Sequence, residues 1–345
     1  MLIVFFMTTI NTVRRAAAAS FERGMGMHKR SYMRRLGRNV VTNYELYLFL
    51  LPALVYIIIF AYVPMYGMQI AFKKFTIGKG IWGSPWVGFE HFQRFFNNYQ
   101  FPRLIRNTLT LSLYRIIFSF PAPIILALML NYVRNLAIKK FVQTVTYAPY
   151  FISSVAMAGM ILIFLNFDNG LIPNIVRLFG GAPKRYMMEP GYFKPIYVLT
   201  DIWQLTGYSS ILYLAALSSV DKNLYEAATI DGATKLQRIW HVDLPAIRPT
   251  IVIMLILTMG TLMNVGFDKA FLLQNNLNID SADVINTYVY RIGMGQAVVG
   301  GGTASSLGPQ YSYAAAIGMF NNVINCIMLV LANFVAGKVG ETSLW

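Results

Sequence analysis

Six stretches of the chain stay apolar for about twenty residues each, and that pattern leaves few folds open. A bilayer core about 30 Å thick is crossed by roughly 20 helical residues, because inside it every backbone amide must find its partner within its own segment. The runs extend from Leu46 to Met68, Leu104 to Leu130, Val142 to Leu165, Ile196 to Ser218, Pro249 to Phe267 and Tyr313 to Ala336. Composition agrees. Hydrophobic residues make up 56% of the chain and charged residues 12%, about half the roughly 25% charge of a soluble domain. The alternation of a lipid-facing barrel is missing. The expected class is an all-α integral membrane protein with six transmembrane helices, residues 46–345 forming the membrane domain behind a basic leader at 1–45. Pro121 and Pro123 are expected to kink the second span.

Charge sets the expected orientation. Arg14, Arg15, Arg23, Lys29, Arg30, Arg34, Arg35 and Arg38 precede the first span against one acid, Glu22, so the positive-inside rule puts the N-terminus in the cytoplasm. Six spans then return the C-terminus to the same side, together with the basic loop holding Arg134, Lys139 and Lys140 and the long loop 219–248. The loop after the first span, with Lys73, Lys74, Lys79, Arg94 and Arg103, runs against this rule, and the larger N-terminal cluster decides. The net charge of +15 is read as topology rather than nucleic-acid binding. The apolar Met1–Ile10 stretch has its charges after it, the reverse of a signal peptide. One cysteine, Cys326, and three scattered histidines, His28, His91 and His241, offer neither a disulfide framework nor metal-ligand spacing.

The loop between the fourth and fifth runs reads as helix, break, helix. Glu226-Ala227-Ala228-Thr229-Ile230-Asp231-Gly232 is followed by Val242-Asp243-Leu244-Pro245. Asn223 and Glu226 have the spacing of a capping box, Gly232 supplies freedom for a sharp turn, and Leu236, Ile239 and Trp240 make one face of a second helix ended by Pro245. A short amphipathic elbow of this kind suits docking into a soluble partner.

These residues resemble the EAA loop of binding-protein-dependent ABC importer permeases, with Val242 where isoleucine is usual. Leu51-Pro52-Ala53, Met65-Tyr66-Gly67, Gly83-Ser84-Pro85-Trp86-Val87-Gly88-Phe89 and the stretch from Asn107-Thr108-Leu109 to Ala122-Pro123-Ile124 resemble the complex-oligosaccharide branch, which includes permeases for polygalacturonan and alginate fragments. The resemblance covers roughly residues 45–340. It implies that Glu226, Ala227, Ala228, Asp231, Gly232, Leu244 and Pro245 couple to a cytosolic ATPase, Glu226 facing a basic group there. For Glu226 the alternative is helix capping alone, and the two roles are compatible. The implied partners are a second, related permease, two ATPase subunits and an extracytoplasmic solute-binding protein. No phosphate-binding loop of the form GxxxxGK[ST] occurs, so ATP and Mg belong to the partner ATPase and this chain is expected to carry no cofactor, no metal and no catalysis.

Polar residues inside apolar runs mark candidate substrate contacts, because they are expensive there. Thr258, Thr261, Asn264 and Asp268 are spaced to share one face of the fifth span, Asn321 and Asn325 one face of the sixth, and Trp203, Gln204, Tyr208 and Tyr213 lie in the fourth. Aromatic faces and amide edges suit sugars, but the same residues also glue helices together or anchor span ends. Arg115 lies eleven positions beyond Leu104, about 16 Å into the bilayer. Either it pairs with an acid or helix carbonyls or sits in a dimer interface, or it lends positive potential to the path of an acidic sugar. Competing classes are an ATP-independent carrier and a membrane-embedded hydrolase, the latter opposed by the lack of any histidine in a span and of GxSxG.

Overall fold

A computed structural model describes residues 42–295 and 310–339. Most of the basic leader, including Arg14–Arg38, lies outside the described residues. The chain divides into two units, Met1–Gly67 and Met68–Trp345, and every site below belongs to the second. Among the described residues the secondary structure is helical, with one isolated bridge between Lys73 and Trp86.

Helix α1 (Tyr44–Phe72) passes through Pro52 and a π-helical turn at Ile58–Tyr62. A short α2 (Glu90–Phe96) precedes α3 (Phe101–Asn131), in which the π-helical turn Arg115–Ser119 comes just before Pro121. The wider turn places the proline, which has no N–H to give, in the first turn of the α-helical stretch that follows. The expected disturbance of this span is thus a change of helical register at Arg115.

The third apolar run does not form one straight helix. Helix α4 (Leu136–Phe151) and α5 (Ser154–Phe164) meet at 101°. Pro149 lies in the closing 3₁₀ turn, Ile152 is extended, and Ser153 restarts the helix by accepting a hydrogen bond from the Ala156 N–H at 3.2 Å. An apolar count registers length and is blind to such a break. After α6 (Leu171–Leu178), helix α7 (Pro190–Ser218) runs for 29 residues. Its Gly207 allows a very close approach to α4, since a Cβ there would lie 1.9 Å from the Thr146 carbonyl oxygen.

Helix α8 (Lys222–Ile230) opens the elbow, and α9 (Lys235–Met259) leads from the elbow into the fifth apolar run. Pro245 therefore does not end a second helix. The π-helical turn Ile239–Asp243 precedes it and again puts the proline at the start of an α-helical stretch. At its far end α9 stops at Met259, short of the Phe267 boundary given by hydropathy. Gly260 there packs against the last helix, where a Cβ would sit 2.5 Å from Leu329 Cδ1. An irregular segment leads to α10 (Phe267–Leu273) and then α11 (Ile285–Gly293). Thr258 and Thr261 consequently share no helical face with Asn264 and Asp268. The chain closes with α12 (Tyr311–Val339).

Four helices, α1, α3, α9 and α12, are long and apolar enough to cross a membrane, and the bent pair α4 and α5 makes a fifth if counted as one. Helix α7 equals them in length but carries Lys194, Asp201 and Gln204 along it. Three buried clusters hold the second unit together. Phe193 and Tyr197 of α7 pack with Leu111 and Met157, Phe95 and Leu104 with Tyr288 and Ile317, and Tyr213 and Leu217 with Ile124 and Ile247.

Candidate functional site

The elbow is built from local rules. Asp221 caps α8, its carboxylate accepting from the Asn223 N–H at 3.0 Å. The expected Asn223–Glu226 capping box is therefore not formed: Asn223 already lies inside the helix, and Asp221 has the extended backbone a cap requires. Glu226 is left exposed, as are Ala227, Asp231 and Pro245, while Ala228 and Leu244 are half-buried. Gly232 ends the helix with φ 73°. Its N–H donates to the Thr229 carbonyl at 3.1 Å, and the Ala233 N–H to the Ala228 carbonyl at 2.9 Å, the paired bonds of a Schellman turn that favours glycine at the left-handed position. Two residues on, Thr234 and Gln237 form a reciprocal capping box that starts α9. The turn leaves a row of apolar side chains in the open, with Ile230 86%, Leu236 65% and Trp240 63% exposed.

Asp243 fastens the elbow to the rest of the chain. It is fully buried and accepts from the Tyr225 hydroxyl of α8 at 2.5 Å and from the Tyr132 hydroxyl, just beyond α3, at 2.7 Å, with Asn131 Nδ2 at 3.5 Å. Burial, reinforced by the bond to Asp243, pushes the Tyr225 phenol up to about 12, and Tyr132 is raised by the same two causes. Both phenols thus stay protonated and donating at neutral pH. Arg238 adds a bond from Nη1 to Thr229 Oγ1 at 3.2 Å, across the turn. Asp243, in the first part of α9, thus links α8 to the end of α3. The motif's spacing assigns Asp243 no task; its signal in the sequence is a carboxylate just ahead of a continuous apolar run.

Among the helices lies a cavity of about 150 Å³, with Arg115, Asp201, Tyr213, Ser119 and Thr206 in its wall. Arg115 pairs through Nε with Asp201 Oδ2 at 3.2 Å, and Lys269 Nζ approaches Asp201 Oδ1 at 3.6 Å while donating to the Tyr197 carbonyl at 3.0 Å. Of the residues singled out along the apolar runs, Arg115, Tyr213, Thr258 and Thr261 meet here. The others do not. Gln204 donates to the Ile152 carbonyl at 3.1 Å, satisfying a group freed by the α4–α5 bend. Tyr208 stacks on Tyr150 with ring centres 3.8 Å apart, and Trp203 is about half exposed. Asn321 donates to Asn264 at 2.8 Å, and Asn325 accepts from the Met263 N–H at 2.8 Å, so both tie the segment after α9 to α12. Asp268 is exposed.

The family model described as "Binding-protein-dependent transport system inner membrane component" matches residues 119–339, well over half of the chain. The chain belongs to this family. Two Bacillus subtilis (strain 168) relatives agree. Protein LplB is 42% identical over 300 residues, covering 87% of this chain and 91% of LplB. The polygalacturonan/rhamnogalacturonan transport system permease protein YteP is 40% identical over 317 residues, covering 92% and 95%. A crystal structure of a bacterial ABC transporter involved in the import of the acidic polysaccharide alginate contains a chain that superposes with a TM-score of 0.80 at 39% identity, over 89% of this chain and 100% of that one. A second crystal structure, of the alginate transporter in complex with alginate pentasaccharide-bound periplasmic protein, matches equally well, at TM-score 0.80 and 38% identity.

As a transport component of this family, the chain is one subunit of a larger ABC machine, and its elbow, Asp201 and Lys269 all fall within the matched region. Arg115 lies just before it.

Proposed function

We propose that this permease moves oligosaccharides, handed to it by an extracytoplasmic binding protein, through alternating access driven by two cytosolic ATPase subunits that hold ATP and Mg. The relatives' names and the alginate transporter support the cargo class. The observation that carries the mechanism is the elbow. Helix α8 turns at Gly232 into α9 through only four residues, 231–234, displays Ile230, Leu236 and Trp240 to a partner, and is tied through Asp243 to α3. Closure of the ATPases on ATP would swing α8 and carry α9 and α3 with it, and hydrolysis would reset them. Six spans follow when α7 is counted with the four apolar helices and the bent pair. The N-terminus and the elbow then face the cytosol, and the segments 82–100 and 272–310 face outward. Six helices do not surround a sugar-sized path, so a second, related permease completes it.

Thiol accessibility tests this topology. In a Cys326→Ser background, Lys235→Cys should resist an impermeant thiol reagent on intact cells and react in inverted vesicles, and the complex should retain its ATPase on purification. Labelling of position 235 from outside would overturn the orientation.

A further inference from the structure

The cavity between α3, α7 and α9 has a chemistry more specific than a general sugar path. Arg115 spends only its Nε–H on Asp201, and among the described residues its two terminal NH₂ groups donate no hydrogen bond. The guanidinium side chain is 30% exposed, whereas Asp201 and Lys269 behind it are 8% and 7% exposed. Two cations share one carboxylate, so the cluster carries one uncompensated positive charge. In the same wall, Ser119 Oγ and Thr206 Oγ1 are buried and have no hydrogen-bond partner. Neighbouring hydroxyls differ: Ser112 donates to the Leu262 carbonyl and Thr258 to the Met254 carbonyl. A planar fork of free N–H donors, a net positive charge and two unpaired hydroxyls form the complement of a carboxylate carried on a sugar ring, because a guanidinium binds carboxylate oxygens two at a time. The volume of about 150 Å³ is below the roughly 300–1,000 Å³ of whole-ligand pockets, which suits one acidic ring of a passing chain.

We infer that Arg115, with Ser119 and Thr206, forms a transmembrane subsite for the carboxylate of uronate-bearing oligosaccharides, held in place by Asp201 and Lys269. Asp201 aims the guanidinium by fixing Nε, and Lys269 prevents Asp201 from cancelling the charge offered to the cavity. This inference rests on the importer reading above and narrows its cargo to carboxylated sugars.

The test measures binding to the whole permease–ATPase complex in lipid nanodiscs without binding protein, so that the latter's selectivity plays no part. Galacturonate and galactose are compared by saturation-transfer NMR titration at matched complex abundance. Wild type should bind galacturonate and prefer it to galactose. Arg115→Gln should weaken galacturonate at least about tenfold, the loss of one charge-assisted pair, and leave galactose where it was. Arg115→Lys, which keeps the charge and loses the fork, should fall between them. Ser119→Ala and Thr206→Val leave every charge in place and should each weaken galacturonate a few-fold. If Arg115→Gln fails to assemble, these two variants decide, and unchanged binding in both overturns the subsite. Equal binding of the two sugars by wild type, or no binding of galacturonate, overturns it as well. Failure of the importer reading shows separately, as the absence of ATP-driven oligosaccharide uptake by the wild-type complex.

Discussion

Gly232 offers a graded test of the elbow. Its φ of 73° lies in the left-handed region, and a Cβ built there meets nothing within 4 Å. The effect of substitution therefore comes from the backbone alone, uncontaminated by steric collision. A non-glycine residue in this conformation costs about 1–2 kcal/mol, asparagine less because it visits the region readily, and a β-branched residue more. Since 1.4 kcal/mol is about tenfold in an equilibrium, Gly232→Ala should reduce the population of the native turn relative to its alternatives about 5- to 30-fold. Gly232→Asn should do much less, and Gly232→Val should do most. ATP-driven uptake and substrate-stimulated ATP hydrolysis, measured in proteoliposomes at equal amounts of assembled complex, should then rank glycine, asparagine, alanine, valine. Equal activity across the series, or valine outperforming asparagine, would refute the claim that this turn sets the angle through which the ATPase drives α9.

Three further outcomes are expected. Gly207→Ala should destabilise the α4–α7 contact by at least about 1–3 kcal/mol, seen as a lower melting temperature of the purified complex, because the new methyl meets the Thr146 backbone rather than a movable side chain. Asn325→Leu should leave the Met263 N–H without its acceptor, at about 1–3 kcal/mol, and amide exchange at Met263 should quicken; unchanged exchange would show that Asn325 does not hold this segment. Burial, with the bond to Asp243, pushes the Tyr225 phenol from its usual value near 10 up to about 12. The native state thus favours the protonated phenol, and its contribution is complete below pH 10 and lost as pH rises through about 12. Elbow stability should be level from pH 7 to 10 and fall above it, and Tyr225→Phe should shrink that high-pH decline; an identical decline in the variant would remove Tyr225 as its source.

The apolar runs were legible because burial in lipid leaves a length signal, and Glu226 to Gly232 because a turn of that hand needs glycine. What remained hidden depended on partners remote in sequence. The 101° bend at Ile152 is joined by Gln204, fifty-two positions away, and spacing alone left sugar contact and helix packing both open for that amide. Arg115 showed itself as costly, yet Asp201 and Lys269 could not be assigned to it from spacing. Asn321 and Asn325 have the periodicity of a lining face, and their bonds to the segment after Met259 could not be foreseen because its break is invisible to hydropathy. Asp221 took the cap from Asn223 because Asp221 has the extended backbone of a cap, which leaves Asn223 inside the helix.

The central claim is that ATP hydrolysed by a docked partner drives an oligosaccharide past this chain. It is tested most directly in proteoliposomes containing the purified complex, with substrate-loaded binding protein outside, ATP and Mg inside, and ionophores collapsing every ion gradient. The account predicts uptake of labelled trigalacturonate that requires lumenal ATP and disappears in the Gly232→Val complex. Uptake that follows an imposed ion gradient and is indifferent to ATP would contradict it and make the chain a secondary carrier.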